Sequence, residues 1–151
     1  MEIKSRHAPA YKHGACMQNP RLYSVWSTMM HRCYDKAREK YKDYGGRGIT
    51  VCEEWHSPNN FIEWAESHGW EDGLQLDRED NNGNYTPLNC RFVTPKNNSR
   101  NRRNTKFLTV NGETRCVAEW CETIDISPYT VYWWIKTKGR EYAEERIARI
   151  T

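Results

Sequence analysis

Hydrophobic and polar positions recur with two different periods along this chain, and the periods predict its elements. Leu22, Val25, Trp26, Met29, Met30 and Cys33 return at three- and four-residue intervals, the stripe of an amphipathic helix. The Met pair reads as core packing rather than a ligand box, because a thioether fills irregular gaps. Gly45, Gly46 and Gly48 around Arg47 make a tight loop, and residues 49–52 read as a short strand. Ser57-Pro58 opens a second helix through Phe61, Trp64 and Ala65, ending near Gly69. Leu74-Gln75-Leu76-Asp77 and Cys90-Arg91-Phe92-Val93 alternate with period two, and Asn81-Asn82-Gly83-Asn84 is a turn cluster between them. Thr94 as N-cap and Pro95 behind it start a helix over about 95–103. The order strand, long loop, strand, helix is a ββα unit.

The C-terminal stretch reads as a separate module. Phe107–Val110, the Asn111-Gly112 turn and residues 114–116 predict a β-hairpin, since Asn-Gly is the preferred two-residue turn. Val117, Ala118, Trp120 and Cys121 start a helix, and Ser127-Pro128 opens another through Val131, Trp134 and Ile135. Two short helices so joined fit a helix-turn-helix. Its second helix presents Tyr129, Thr130, Tyr132, Trp133 and Lys136 to a partner, unless the aromatics pack back on the hairpin. The fold class expected is α+β: a ββα core with flanking helices, plus this small module. The division expected is a basic arm over 1–20, a nuclease-like domain over 21–104 and a DNA-binding module over 105–151.

Composition narrows the reading. The chain has 151 residues with 13% aromatics, including 7 Trp and 9 Tyr. A disordered chain is poor in such residues, so a core of a few large side chains is expected. No apolar run approaches the roughly 18–20 residues of a membrane helix, and the basic N-terminus lacks the apolar region of a secretory signal. Six Cys without a CxxC pair read as free thiols of a cytoplasmic protein. The net charge of +3 says little, but its distribution says more. Residues 3–34 and 81–112 contain no Asp or Glu. The first segment holds Lys4, Arg6, Lys12, Arg21 and Arg32, and the second Arg91, Lys96, Arg100, Arg102, Arg103 and Lys106. Clustered cations point to a polyanion, whose condensed counterions they displace. The Gly loop lacks the Lys-Ser/Thr of a phosphate-binding P-loop, so it reads as a turn that aims Tyr44 and Arg47.

In a ββα-metal arrangement a divalent cation sits between the end of strand one and the helix, held by hard oxygen ligands. Asp77 ends strand one, and Asn98 lies in the first turn of the helix. Asn89 precedes strand two, where its side chain can bond backbone across the loop and hold it shut. Arg91 alternates with Phe92 and could point at phosphate. The segment LDREDNNGNYTPLNCRFVTPKNNSRN resembles the ββα-metal (HNH, His-Me finger) nuclease signature. The likeness is to its PacI-like Asp-Arg variant, through Asp77-Arg78-x-Asp80, Tyr85-x-Pro87-x-Asn89-x-Arg91 and the downstream Asn98. The wider layout resembles small HNH-type proteins of phages and mobile elements, and the tail resembles the modular DNA-binding units of homing endonucleases.

The resemblance implies a metal-dependent endonuclease of restriction or homing type, in a bacterial or phage-infected cell, acting on double-stranded DNA. It makes Asp77 and Asn98 ligands of Mg2+ (or Mn2+) and Asn89 the structural Asn. Arg78 stands where most such enzymes carry a general-base His, but a guanidinium is a poor proton acceptor. Arg78 is therefore expected to clamp phosphate, serving chemistry and not stability. The resemblance also implies an upstream Tyr near the scissile phosphate, for which Tyr44 is the candidate and His31 the second. The related zinc-binding Cys positions are Thr94 and Asn97 here, so that zinc site is absent. His31-x-Cys33 and Cys52-x3-His56 remain, but without a CxxC pair no structural zinc is expected. Arg47, Arg91, Lys96, Arg100, Arg102, Arg103 and Lys106 are the expected DNA contacts, with Tyr129, Thr130, Tyr132 and Lys136 from the last module. One site cuts one strand, so a symmetric double-strand cut would need a homodimer. The alternative is a nuclease-derived DNA-binding protein or repressor that no longer cuts.

Overall fold

Asn19 and Pro20 start the first helix. The Asn19 side chain accepts from the Leu22 amide at 3.2 Å, and Pro20 takes the first helical position of α1, Pro20–Tyr34. The computed structural model describes residues 19–151, so the expected arm over 1–20 lies outside the described residues except for these two. They belong to the helix, not to an arm. The fold is α+β, with two small antiparallel sheets. It divides into two compact units, one running to Pro95 and the other spanning Lys96–Thr151.

In the first unit the predicted stripe is the buried one: Leu22, Tyr23, Trp26, Met29 and Cys33 line the core side of α1. They meet Phe61, Ile62, Trp64 and Ala65 of α2, Pro58–Ser67. Trp55 sits at the centre, 1% exposed, its ring 4.4 Å from that of Trp64 and 5.2 Å from that of Phe61. The Trp26 indole donates to the Trp55 carbonyl at 2.7 Å, so the aromatic cluster satisfies a backbone group while excluding water. Large rings thus supply most of a core that a chain this polar could not build from aliphatic residues.

Residues 49–52 pair less than expected. Tyr85 donates to Thr50 and Cys52 to Tyr85, giving one parallel bridge between Val51 and Tyr85 and no strand. Pairing stops because the chain coils at once into the 3-10 turn Glu53–His56, which delivers Trp55 to the core. Upstream, Gly45 is dictated by space. A Cβ there would lie 1.9 Å from the Cys33 carbonyl oxygen at the end of α1.

Strand β1, Gln75–Arg78, pairs antiparallel with β2, Cys90–Val93, in the register Gln75↔Val93, Leu76↔Phe92, Asp77↔Arg91, Arg78↔Cys90. Side chains alternate across such a ribbon. Cys90 is in the core, with Leu76 and Phe92 packed against it, so Arg78 shares their face and Asp77 and Arg91 share the other. Helix α3, Pro95–Arg100, follows directly but stops short of 103. It buries no residue, and Asn is a weak helix former, so nothing sustains another turn.

The second unit begins within α3, not at the expected 105. Lys96 and Arg100 explain why: both reach Glu122 of helix α4, Val117–Ile124, the first at 2.9 Å. The hairpin β3, Phe107–Val110, with β4, Glu113–Cys116, turns through Asn111 and Gly112 at φ 52° and 83°, the left-handed pair that a two-residue turn requires. Ser127 caps α5, Pro128–Lys138, by accepting from the Tyr129 amide. A third helix, α6, Arg140–Ala148, was not expected from the pattern, because only Ala143 and Ile147 mark its buried side. It closes a core of Leu108, Val110, Val117, Trp120, Cys121, Val131 and Trp134. Its Glu144 also accepts from the Thr109 amide at 2.7 Å, which holds that carboxyl below the usual range. Among the described residues no helix is long and apolar enough to cross a membrane.

The contact at Gly45 is backbone against side-chain carbon and cannot relax by a rotamer change. Gly45→Ala is expected to destabilise the protein by about 3 kcal/mol, read as a shift of the urea midpoint. An unchanged midpoint would show that α1 and the Gly turn are not packed this way.

Candidate functional site

Asn89 does what its position predicted. Its Oδ1 accepts from the Asp80 amide at 2.9 Å, and its Nδ2 donates to the Asp80 and Asn84 carbonyls at 3.1 and 2.9 Å. The loop between β1 and β2 is thereby closed on itself. Gly83 is required there, because a Cβ would stand 2.6 Å from the Asn89 amide nitrogen. Outside the loop, Asn84 Oδ1 accepts from Thr50 N at 3.0 Å, and Arg47 donates to Asn82 Oδ1 at 2.6 Å and to the Asp43 carbonyl at 3.1 Å. Arg47, expected as a DNA contact, is exposed and spends its guanidinium joining the Gly turn to this loop.

Arg78, expected to serve chemistry and not stability, is buried, 6% exposed. Its Nη1 donates to the Gly83 carbonyl at 2.8 Å. Its guanidinium carbon lies 4.9 Å from the Tyr44 ring centroid and 4.8 Å from that of Tyr85. The two rings are nearly parallel, 17° apart. Arg32, which the sequence reading did not assign to the site, stands 5.1 Å from the Tyr44 centroid. Its position one residue before the buried Cys33 was the available signal. Burial pushes the Tyr85 hydroxyl up to about 12, against the opposing pull of Arg78 and Arg32. So two of the three expected catalytic residues, Arg78 and Tyr44, do meet. His31 does not join them. It is exposed and lies half a turn from both Met29 and Cys33, on the side of α1 opposite the buried stripe.

Asp77 lies on the other face of the ribbon. Its side chain is 4% exposed, and its Oδ2 accepts from Arg91 Nε at 3.2 Å. Arg91 Nη1 also stands 3.6 Å from Glu79 Oε1. Two carboxylates therefore converge on the Arg91 guanidinium. Arg91 is half exposed, and its cross-strand register with Asp77 explains the pairing. Asn98, the other expected ligand, is half-buried in α3, within the second unit. Among the described residues no group of three or more His, Cys, Asp or Glu is gathered as a metal site.

The basic segment is less free than its sequence suggests. Lys96 and Arg100 both engage Glu122, and Arg100 also approaches Glu119 at 3.7 Å. The hydrogen bond from Arg100, and then that from Lys96, holds the Glu122 carboxyl below its usual range. These two cations, expected as phosphate contacts, tie α3 to α4 in this structure. Arg102, Arg103 and Lys106 are exposed. On α5, Tyr129, Tyr132, Trp133 and Lys136 are exposed and Thr130 is half-buried.

Comparison of the chain with protein-family models, with curated proteins and with solved structures finds no match in any of the three.

Cys33 and Cys90, beside this site, are pushed up to about 11 and about 12, chiefly by burial, which outweighs the nearby Arg78. Both stay protonated at pH 8. Iodoacetamide should alkylate neither in the native protein and both after urea unfolding, read by peptide mass; prompt native labelling would contradict the packing. For Arg78 the expected outcome is a loss of about 3 kcal/mol in Arg78→Ala, from a desolvated cation–ring contact and a charged hydrogen bond. A urea midpoint unchanged within error would return Arg78 to a purely chemical role.

Proposed function

We propose that this chain is a metal-dependent DNA endonuclease that hydrolyses phosphodiester bonds in duplex DNA through a ββα-metal site. The observation that carries the reading is the buried Asp77 carboxylate at the end of β1. A carboxylate this far from water is costly unless paired; in this structure the Arg91 guanidinium pairs it, with Glu79 on the same group, and a hard cation would take that place beside the loop that Asn89 locks. The donor set fits a hard divalent ion: carboxylate oxygen, with water and substrate phosphate completing the shell. When bound, Mg2+ would stabilise charge on the scissile phosphate and its leaving oxygen.

Asp77 would hold the ion, and the part of Asn98 rests on its spacing in the sequence. Arg91, released from Asp77, would turn its half-exposed guanidinium to a phosphate oxygen, where its planar fork suits the anion. Arg78 would act through position, fixing the end of β1 and orienting Tyr44 on the core face. Arg102, Arg103 and Lys106 would supply sequence-independent attraction to the backbone. The second reading, a nuclease-derived DNA-binding protein without cleavage, is favoured by one observation: Arg91 already neutralises Asp77.

Supercoiled plasmid incubated with the purified protein and Mg2+ or Mn2+ separates the two. Nicking or linearisation that chelation stops, and that Asp77→Ala lowers by about 100-fold or more, is the expected result. Metal-independent binding with no strand cut would select the second reading.

A further inference from the structure

The outer face of α5 carries chemistry that duplex recognition does not call for. Tyr129, Tyr132 and Trp133 are 79%, 41% and 48% exposed. With exposed Lys136 they stand at i, i+3, i+4 and i+7, one face of the helix. Val131 and Trp134 are buried on the opposite side, so the helix is anchored by its other face. Three large rings left side by side in water form an apolar patch that calls for a partner.

The surroundings identify the partner's charge. Residues 126–140 contain no Asp or Glu but carry Lys136 and Lys138, with Arg140 paired to Glu144. Such a rim repels a second copy of itself, because a two-fold contact would set like charges against each other. A polyanion is attracted. A helix that reads a duplex sets Arg, Lys, Asn, Gln, Ser or Thr against base edges; of these the face formed by Tyr129, Tyr132, Trp133 and Lys136 offers Lys136 alone. It offers flat aromatic faces beside cations, the combination that binds exposed base faces and tracks a single backbone.

We propose that the C-terminal unit binds unpaired nucleic acid, with bases stacking on Tyr129, Tyr132 and Trp133 and Lys136 meeting the phosphate. This rests on the nucleic-acid reading above but alters the role expected of the helix. It places α5 on a strand that has been opened, not in a groove.

The test uses the full chain in EDTA, so that binding is measured whether or not the protein cuts. Fluorescence anisotropy follows a labelled oligothymidylate of about 20 nucleotides and a duplex of the same length. The single strand should bind more tightly. Trp133→Ala and Tyr129→Ala should each weaken it about tenfold, while Trp133→Phe retains most of the affinity. Lys136→Ala should reduce the salt slope by about 0.7. Thermal melting confirms that these surface variants fold. Tighter binding of the duplex, single-strand affinity unchanged by both aromatic variants, or no binding of either oligonucleotide would overturn the proposal. So would a concentration-dependent dimer that Trp133→Ala abolishes. Cleavage of plasmid by a protein that fails this test would leave the nuclease reading standing, and stacking without cleavage would do the reverse.

Discussion

The first unit is organised around one buried cation. Arg78 ends β1 facing inward, where water cannot solvate it, and must be satisfied by what surrounds it. The Gly83 carbonyl and the faces of Tyr44 and Tyr85 do so. Each partner fixes a different segment. Gly83 brings in the loop that Asn89 closes, Tyr85 brings in the bridge to Val51, and Tyr44 brings in the Gly turn packed on the end of α1. A lysine could not make these contacts together, since its ammonium lacks the flat surface that stacks on rings and the fork that reaches a carbonyl. The ribbon β1–β2 has only four residues per strand and would be marginal alone. Its register is held from one face by this cation and from the other by the Asp77–Arg91 pair.

Alternation along β1 separates two roles that adjacency in the chain had joined. Asp77 and Arg78 are neighbours, yet a pleated strand sends them to opposite faces. The metal-ligand candidate therefore shares its surroundings with Arg91 and Glu79, and Arg78 shares its own with Tyr44 and Arg32. The proposed chemistry belongs to the Asp77 face. The Arg78 face supplies the rigidity that such a site needs, since small displacements of a reacting group are costly to catalysis.

Charge behaves in the same way. Residues 81–112 contain no acid, but folding brings acids to them. Arg91 meets Asp77 and Glu79 across the ribbon, and Lys96 and Arg100 meet Glu122. A pair as exposed as Lys96–Glu122 adds little stability, about 0–1 kcal/mol, but Arg100 is mostly covered and helps fix α3 to α4. Arg102, Arg103 and Lys106 are exposed, as are Lys136 and Lys138 on α5, while Arg140 donates to Glu144 at 2.9 Å. The exposed basic side chains thus fall on the loop after α3 and on α5.

The sequence by itself determined what depends on near neighbours. The period of the apolar residues in α1, α2 and the two hairpins, the Asn-Gly turn, the proline-opened helices and the loop-closing Asn89 all follow from local sterics and hydrogen bonding, which act within a few residues. Where the local signal was thin, it failed: α6 carries only two buried positions, and residues 49–52 make a single bridge because Trp55 is drawn into the core. Only the tertiary structure decided which polar side chains meet. His31 and Cys33 are two residues apart and end on opposite sides of α1. Arg32 joins Tyr44, and Arg78 packs against two tyrosines distant in the chain. Glu122 holds Lys96 and Arg100 of α3 against α4. Such encounters depend on how distant segments pack, and the free energy of burying a charge is set by all its neighbours at once.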